Sequence, residues 1–438
     1  MLDQGLDVQE RPSSRWANEI GRPSPSRKMG ALAGQPSPEV ILDISRLLSR
    51  IRFNAPTGVD RVEMAYAQQL LRLAPERLSF AAVHPTGLYG RLPTPAVTRF
   101  LDETVGIWSG REVSSKDSKW AVRRVASLLR LIPQLTADPV PERYRPRVYL
   151  QVSPHHLDRP DRIRRILARE RARFVCLVHD LIPIEYPEHA RPNGKDLHSR
   201  RMDAVAQYAD AVIAASHSTR RSFLDYLGRE GRSMEVCVAP LGAEPASAKP
   251  SPQTGGAPYF VSIGTIEPRK NHLLLLNLWR RMVEELGPRA TPRLILIGRR
   301  GWENENILDM LDRCVPLKGI VEERGHMSDQ EMWPLVQGAR ALLMPSFAEG
   351  FGLPVIEALK LGVPVLCSDI PAHHEIADPV AEFLDPLDGP GWRQAILDYA
   401  APVSNRRTDQ VRRMGGWTAP TWEGHVQSAL GLIDEVCR

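Results

Sequence analysis

Short apolar runs alternate with longer amphipathic stretches along the chain from Glu39 onward. Each short apolar run suits a buried strand, and each amphipathic stretch suits a helix that covers one face of a sheet. Such alternation produces parallel sheets with helices on both faces. In the first half we predict strands at 40–44, 78–83, 148–152, 174–178, 211–215 and 236–239, and helices at 59–73, 162–171, 196–208 and 219–227.

The second half repeats this alternation after an interruption at 244–258, whose Pro, Gly and Ser content disfavours both helix and strand. We predict a domain linker there, between a first domain at 39–243 and a second at 259–415. A last amphipathic helix is predicted within 416–438, at 416–436. The other predicted elements of this half are strands at 259–263, 294–297, 320–322, 341–344 and 364–368, and helices at 271–286, 306–314, 329–337 and 353–361.

The predicted fold class is therefore α/β, with two Rossmann-like, doubly wound parallel-sheet domains that face a cleft. Sheets of this kind bind ligands at the carboxyl ends of their strands, so we expect the functional site between the domains. Residues 1–38 are rich in Pro, Ser, Gly and Arg and show no apolar periodicity. We predict that they form a disordered tail, because they cannot bury enough surface to offset the cost of ordering.

Length and composition exclude several classes of protein. A chain of 438 residues is too long for a single small binding module. No apolar run reaches the roughly 18 residues that a membrane span needs. The five cysteines are scattered and never form a C-x-x-C pair, which argues against a disulfide framework and a zinc knuckle. Acidic residues at Asp3, Asp7 and Glu10 do not fit a signal peptide, so we expect a cytoplasmic protein.

The charge is unevenly distributed along the chain. Residues 1–240 carry 37 Lys and Arg against 27 Asp and Glu, whereas the remainder carries 20 against 25. A basic first half predicts an anionic partner: a nucleic acid, a phosphorylated substrate or a membrane surface. Nucleic acid is disfavoured because no binding motif with interleaved aromatic residues is present.

The sharpest motif is the segment from Pro345 to Ala358, which follows a predicted strand and opens a helix. Gly350 and Gly352 would let the backbone approach a ligand closely, and the helix that starts near Leu353 would offer free N–H groups to a phosphate. Glu349 precedes this helix and Glu357 lies about one turn inside it. This spacing suits a nucleotide sugar, with one carboxylate accepting hydrogen bonds from the sugar and the other from the ribose.

A second segment, Gly264-Thr265-Ile266-Glu267-Pro268-Arg269-Lys270-Asn271, also follows a strand and leads into a helix. Arg269 and Lys270 would neutralise the charge that develops on a departing diphosphate. No Asp-x-Asp pair accompanies them, which weakens the case for a metal-bridged diphosphate. The adjacent histidines His155-His156 and His373-His374 have no Cys or spaced carboxylate partners, so no metal site is predicted.

These residues resemble glycosyltransferase family 4, the retaining, metal-independent group 1 enzymes of GT-B architecture, and its mannosyltransferases in particular. The resemblance rests first on the Glu-x7-Glu motif and on Glu-Pro-Arg-Lys-Asn at 267–271. It extends to the family's first-domain loop at 178–183, its strand-end serine loop at 215–219, its interdomain strand at 238–242, and segments 298–302 and 324–328. It covers roughly Glu39 to Ala377, strongly in the second half and loosely before Arg173.

The resemblance implies a role for each site residue. Lys270 and Arg269 would hold the diphosphate, Glu357 the ribose and Glu349 the transferred sugar, and His179 would lie near the reaction centre. The nucleobase would contact the loop from Gly325 through His326 to Met327. The amides of Gly350, Phe351, Gly352 and Leu353 would assist, as would Gly264 and the first-domain glycine turn at Gly58.

Two positions depart from the family pattern. The first-domain turn has only Gly58, where many relatives have a longer glycine run, and Thr265 stands where many relatives have an arginine that contacts the diphosphate. Arg269 or another arginine would have to compensate. For the chemistry, we favour a route in which the leaving phosphate accepts the proton of the acceptor hydroxyl. An unrecognised nucleophilic side chain is the alternative.

The sequence thus predicts a hexosyltransferase that needs no cofactor or metal, with GDP-mannose as the first candidate donor and a UDP-sugar as the second. The acceptor would be a glycan or a polyprenyl-diphosphate-linked glycan in bacterial polysaccharide biosynthesis. An epimerase of nucleotide sugars and a non-catalytic sugar-nucleotide scaffold are the alternatives. The basic amphipathic segment at 119–132 predicts either peripheral contact with an anionic membrane or a core-facing helix with a solvated basic side.

Overall fold

The computed structural model describes residues 37–51, 53, 55–84, 87–110, 145–243, 257–325 and 327–438, which belong to one compact unit that begins at Ser37. Three predictions therefore lie wholly or mostly outside the described residues: the tail at 1–38, the basic amphipathic segment at 119–132 and the linker at 244–258.

In the described chain, seven strands form the sheet of the first domain in the order β3-β2-β1-β4-β5-β6-β7. All neighbouring strands are parallel except β2 and β3, which are antiparallel, with Phe80 opposite Leu92. The strands are β1 (Glu39–Asp43), β2 (Leu78–Val83), β3 (Tyr89–Leu92), β4 (Arg147–Gln151), β5 (Arg173–Val178), β6 (Ala211–Ala214) and β7 (Glu235–Val238).

Six described strands form the sheet of the second domain, all parallel, in the order β10-β9-β8-β11-β12-β13. Both sheets reverse their winding direction beside their first strand, between β1 and β4 and between β8 and β11. These are the switch points at which such sheets bind ligands. The strands are β8 (Tyr259–Ile263), β9 (Arg293–Ile297), β10 (Val321–Arg324), β11 (Leu342–Met344), β12 (Val365–Ser368) and β13 (Glu382–Leu384).

Helices cover both faces of each sheet. Those of the first domain are α1 (Ser45–Ser49), α2 (Gly58–Leu73), α3 (Thr94–Trp108), α4 (Pro160–Glu170), α5 (Ile182–Glu185), α6 (Gly194–Tyr208) and α7 (His217–Arg229). Those that follow are α8 (His272–Leu286), α9 (Glu305–Arg313), α10 (Asp329–Gln337), α11 (Leu353–Lys360), α12 (Pro371–Ala377), α13 (Gly389–Ala400), α14 (Asn405–Met414) and α15 (Trp422–Val436).

The buried strands explain why the sheets are covered on two faces. In β1, Val40 and Leu42 face one hydrophobic core and Ile41 faces another, because successive side chains of a strand point to opposite faces. The core that contains Val40 continues into the second domain through Val261 of β8. The predicted fold class is therefore confirmed: two Rossmann-like α/β domains, packed as one unit.

The last helix begins later than predicted. Residues 416–421 are not helical, and α15 starts at Trp422, where the side chain of Thr421 caps the helix by accepting a hydrogen bond from the Gly424 amide. The helix packs on α2, because buried His425 donates from Nδ1 to the carbonyl of Ala239 and accepts at Nε2 from the hydroxyl of Tyr66, at 2.9 and 2.8 Å. The C-terminal helix thus braces the first domain.

Candidate active site

The loops after β8 and β11 meet at the switch point of the second sheet through buried ion pairs. The Nζ atom of Lys270 lies 2.6 Å from Oε1 of Glu349, and the guanidinium of Arg269 lies 2.7 Å from Oε2 of the same carboxylate. Arg269 also lies 2.7 Å from Glu267. The structure therefore brings together three of the predicted site residues, although the motifs that contain them are separated by 79 positions.

Burial and charge act in opposite directions on this cluster. Burial alone would raise the pKa of Glu349, but Arg269 and Lys270 hold it well below its usual range. Burial lowers the pKa of Lys270, and Glu349 opposes that shift. The glutamate is therefore ionised and fully occupied by its two cations. For Glu349 to accept hydrogen bonds from a sugar, it must exchange at least one of these partners.

The loop from Glu349 to Leu353 needs glycine at two positions. Gly352 is the N-terminal cap residue of α11 and has φ 108°, a conformation that side chains disfavour. A Cβ atom on Gly350 would collide with the carbonyl oxygen of His179 in the first domain. The two domains consequently approach each other at the predicted anion-binding loop.

First-domain groups hold that loop by hydrogen bonds. The Gly350 carbonyl accepts from the hydroxyls of Ser216 and Thr219, at 2.7 and 3.1 Å. Thr219 also donates to the carbonyl of His179, at 3.2 Å. The serine loop and the histidine loop of the first domain therefore both line the cleft at the start of α11.

His179 is fixed by its own backbone environment. It follows β5, and its Nε2 donates to the carbonyl oxygen of Val152 at 2.9 Å, which leaves Nδ1 as the acceptor of the neutral ring. Burial lowers the pKa of His179, so the ring is neutral at pH 7. A neutral histidine in this place can accept a hydrogen bond from a hydroxyl.

The remaining predicted residues belong to both domains. Gly58 is the first residue of α2, and a Cβ atom there would lie 3.6 Å from Cδ1 of Leu353. A Cβ atom on Gly264 would lie 3.2 Å from Cε of Lys270. Glu357 is buried on α11 and Phe351 is buried just before it. Gly325 and Met327 follow β10, and His326 lies outside the described residues.

Sequence reasoning missed a second bridge between the domains. The carboxylate of Glu375 on α12 accepts hydrogen bonds from the amides of His217 and Ser218 at the start of α7, both at 2.6 Å. A carboxylate at a helix N-terminus is stabilised by the free N–H groups and by the helix dipole. The local sequence gives no signal for this contact, because the partner helix belongs to the other domain.

Two further features of the cleft received no site role from the sequence. His373 donates from Nδ1 to the carbonyl of Ser368, at 2.9 Å. Its buried Nε2 has no hydrogen-bond partner among the described residues and lies beside the backbone of Gly352. Arg299 follows β9, and its carbonyl accepts a hydrogen bond from the amide of Ile266, next to Thr265. Arg46 lies on α1, shortly after β1. A basic residue shortly after a strand is the signal that could have singled out both.

The two parallel-sheet α/β domains define a protein of GT-B architecture. Residues 244–381 match the family model of the glycosyl transferases group 1. Sucrose-phosphate synthase from Thermosynechococcus elongatus has a similar structure, with a TM-score of 0.60 over 91% of this chain and 99% of that chain, at 14% sequence identity.

Two relatives are bacterial mannosyltransferases. O-antigen chain mannosyltransferase B from Escherichia coli is 34% identical over 165 residues, which cover 38% of this chain and 42% of that protein. O-antigen chain mannosyltransferase RfbU from Salmonella typhimurium is 26% identical over 243 residues, which cover 55% of this chain and 64% of that protein. The chain thus spans less than two thirds of the length of both relatives.

Over residues 244–381 the chain resembles the glycosyl transferases group 1, and it is similar to O-antigen mannosyltransferases, so the resemblance seen in its motifs is confirmed. In the part of the chain that the structure describes, no group of three or more His, Cys, Asp or Glu side chains is arranged to bind a metal ion. None of the described helices has the length and apolar composition of a membrane-spanning segment.

Proposed function

We propose that this chain transfers a hexose with retention from a nucleotide diphosphate sugar to a hydroxyl of a growing bacterial polysaccharide. Mannose from GDP-mannose is the first candidate and a UDP-sugar the second. The observation that carries the proposal is the buried Lys270–Glu349–Arg269 cluster at the switch point of the second sheet. The mannosyltransferase relatives support the choice of donor sugar.

Each group of the cluster has a task in this proposal. Arg269 and Lys270 stabilise the negative charge that develops on the departing diphosphate, and Glu349 turns to accept hydrogen bonds from the sugar hydroxyls. Glu357, buried on α11, binds the ribose. Neutral His179 orients the sugar or the acceptor from the opposite side of the cleft.

The bond changes are a single substitution on one face of the sugar. The acceptor oxygen bonds to the anomeric carbon as the bond from that carbon to the diphosphate oxygen breaks, and the released phosphate oxygen takes the acceptor's proton. Because the protein supplies positioning and charge in this route, no metal or nucleophilic side chain is required. The acceptor is a glycan, or a glycan carried on a polyprenyl diphosphate.

The test is donor hydrolysis by the purified full-length chain without added metal. GDP-mannose, UDP-glucose, UDP-galactose, UDP-N-acetylglucosamine and ADP-glucose are offered separately, and nucleotide release is measured. We expect one donor to be hydrolysed, with activity lost in Lys270→Ala and Glu357→Ala. Arg280→Ala is the matched control, because Arg280 pairs with Glu284 on the exposed face of α8. If no donor is cleaved and none raises the melting temperature, the proposal fails.

A further inference from the structure

A cavity of about 380 Å³ lies between the two domains, outside the buried ion-pair cluster. The first domain lines it with the loop from Pro187 to Asp196, which joins α5 to α6. The second domain contributes Glu303, which lies between β9 and α9. The volume falls at the lower end of the range of small-molecule pockets, about 300–1,000 Å³. The proposed reaction uses none of these residues, so the cavity is a candidate for a second binding site.

The charged groups around the cavity are of both signs and are not paired with one another. The lining contains three carboxylates and two cations: Glu188, Asp196, Glu303, Arg191 and Lys195. None of these exposed side chains forms an ion pair or a hydrogen bond with another described residue. Among the described residues the carboxylates are not arranged to bind a metal ion. Donors and acceptors together, with little net charge, suit a neutral ligand rich in hydroxyl groups, because a hydroxyl both donates and accepts.

A stack of three aromatic rings connects the loop of the cavity to the loop that contains Glu349. The ring of Tyr186 stacks on that of His189, with centroids 6.3 Å apart. His189 in turn stacks on Phe347 of the second domain, with centroids 5.3 Å apart and ring planes 6° from parallel. Phe347 lies two residues before Glu349, and its amide donates to the carbonyl of Arg269 at 2.9 Å. The cavity is therefore joined to the ion-pair cluster by direct contacts.

The outer ring of this stack is open to solvent. Tyr186 is 40% exposed and directly precedes the first cavity residue, Pro187. An exposed aromatic face can pack on the C–H face of a sugar ring, while polar groups nearby bind the hydroxyls. Tyr186 thus adds an apolar surface to the polar groups of the cavity, and the two together have the composition of a saccharide site.

Contacts of Trp302 hold the second-domain side of the cavity against the first domain. Its Nε1 donates to the carbonyl of His189 at 3.3 Å, and the guanidinium carbon of Arg191 lies 4.3 Å from the centroid of its ring. Glu303 follows directly and has φ 48°, a conformation that glutamate rarely adopts. Backbone strain of this kind clusters at ligand sites, where the surrounding structure maintains it. Glu303 is consequently held at the cavity before a ligand binds, which reduces the entropy lost on binding.

We propose that this cavity, together with the exposed ring of Tyr186, binds a neutral saccharide unit of the acceptor glycan. The carboxylates accept hydrogen bonds from the sugar hydroxyls, and Arg191 and Lys195 donate to hydroxyl or ring oxygens. The assignment of this saccharide to the acceptor rests on the proposed function. In that reaction the cavity holds a part of the glycan away from the reacting hydroxyl, and the Tyr186–His189–Phe347 stack lies between the two.

The test compares Glu303→Ala and Lys195→Ala with the matched control Glu305→Ala in the full-length protein. Glu305 is an exposed glutamate at the start of α9 and lies outside the cavity lining. Binding of α-linked mannotetraose and of maltotetraose is measured by ligand-observed NMR titration, and thermal unfolding verifies that each variant is folded. We expect about a tenfold loss of affinity in each cavity variant, on the order of one hydrogen bond to a charged group, and less than about a twofold change in Glu305→Ala.

Oligosaccharide binding and donor hydrolysis by the wild type separate this proposal from the proposed function. Weaker oligosaccharide binding in either cavity variant supports the saccharide site, even if the wild type cleaves no nucleotide sugar and the proposed function fails. Unchanged binding in both variants overturns the saccharide site, as does a wild type that binds neither oligosaccharide. If the wild type then still cleaves a nucleotide sugar, the proposed function stands without this site.

Discussion

Replacing Glu349 with glutamine tests whether this carboxylate occupies the cations that, in the proposed function, bind the donor diphosphate. The glutamine keeps the shape of the side chain and removes its charge. Lys270 then loses its nearest ion-pair partner, whereas Arg269 keeps Glu267 at 2.7 Å. The uncompensated charge is therefore mainly that of Lys270, whose side chain is only 10% exposed.

The structure sets the size of the effect. Removing one partner of a buried ion pair costs about 3–5 kcal/mol. The lower end applies here because Arg269 remains paired. The loss of stability cannot exceed the cost of deprotonating Lys270. An ordinary lysine has a pKa near 10.5, and each pH unit below that value adds ~1.4 kcal/mol, so deprotonation at pH 7 costs about 5 kcal/mol. We therefore expect a loss of about 3 kcal/mol.

The variant's loss of stability should depend on pH and on nucleotide. Without Glu349 the folded pKa of Lys270 falls further below its unfolded value, so stability is regained as the pH rises toward about 10. A bound diphosphate replaces the missing negative charge. By linkage, any stability that GDP restores to the variant must appear as tighter GDP binding than in wild type. If GDP restores half of the ~3 kcal/mol, the variant should bind it about tenfold more tightly. Sugar transfer should nevertheless be lost.

The assay is urea unfolding of wild type and Glu349→Gln, with and without saturating GDP, together with calorimetric GDP affinities. Asp312→Asn is the control, since Asp312 is half exposed and a surface ion pair such as the one it forms with Arg300 contributes little to stability. Equal stability of Glu349→Gln and wild type, or weaker GDP binding by the variant, would refute the reasoning that Glu349 competes with the diphosphate.

For three further perturbations the structure determines whether stability rises or falls. Burial raises the pKa of Glu63 to about 8, so wild-type stability should fall as the pH rises from about 4.5 to 8. Glu63→Gln should remove this fall, which is measured by urea midpoints at about pH 5 and 8. Burial lowers the pKa of His425 to about 4, so stability should be lost as the pH drops from about 6.5 to 4, by up to ~3 kcal/mol; His425→Gln should flatten this acid limb in thermal melts. Glu375→Ala should loosen the contact between the domains by about 1 kcal/mol, which would appear as roughly fivefold faster hydrogen exchange at the amides of His217 and Ser218; unchanged exchange would contradict it.

The sequence predicted the elements that repeat and the motifs that sit directly after strands. Both glycine-containing loops of the second domain, with Arg269, Lys270 and Glu349, follow buried strands, and the switch-point rule alone places them at one edge of the sheet. Whether Lys270 would contact a phosphate or Glu349 was not predictable. That choice depends on the distance between two loops, which cannot be predicted from the local sequence of either loop.

Secondary structure was missed where neighbours rather than local pattern decide it. Strand β3 is a short edge strand, whose Gly90 and Arg91 give no apolar run, and it exists because it pairs antiparallel with β2. Strand β13 has only three residues, and its identity rests on pairing with β12. Helices α12 to α14 lie in a region where the apolar spacing gave no prediction.

Contacts between the domains were beyond sequence reasoning for a related reason. Arg61 of α2 and Asp329 of α10 form an ion pair with atoms 2.5 Å apart although 268 positions separate them. From the sequence alone, each of these residues is predicted to be an exposed charge on the surface of a helix.

The contacts between the two domains determine how ligand binding and domain contact affect each other. The described contacts between the domains include hydrogen bonds, such as those to the carbonyl of Gly350 and to the carboxylate of Glu375. A neutral hydrogen bond contributes only about 0.5–1.5 kcal/mol and one to a charged group about 1.5–3 kcal/mol, because water can replace either bond when its partners separate. A ligand that contacts both domains therefore stabilises their contact, and by linkage that contact strengthens the binding of the ligand by the same free energy.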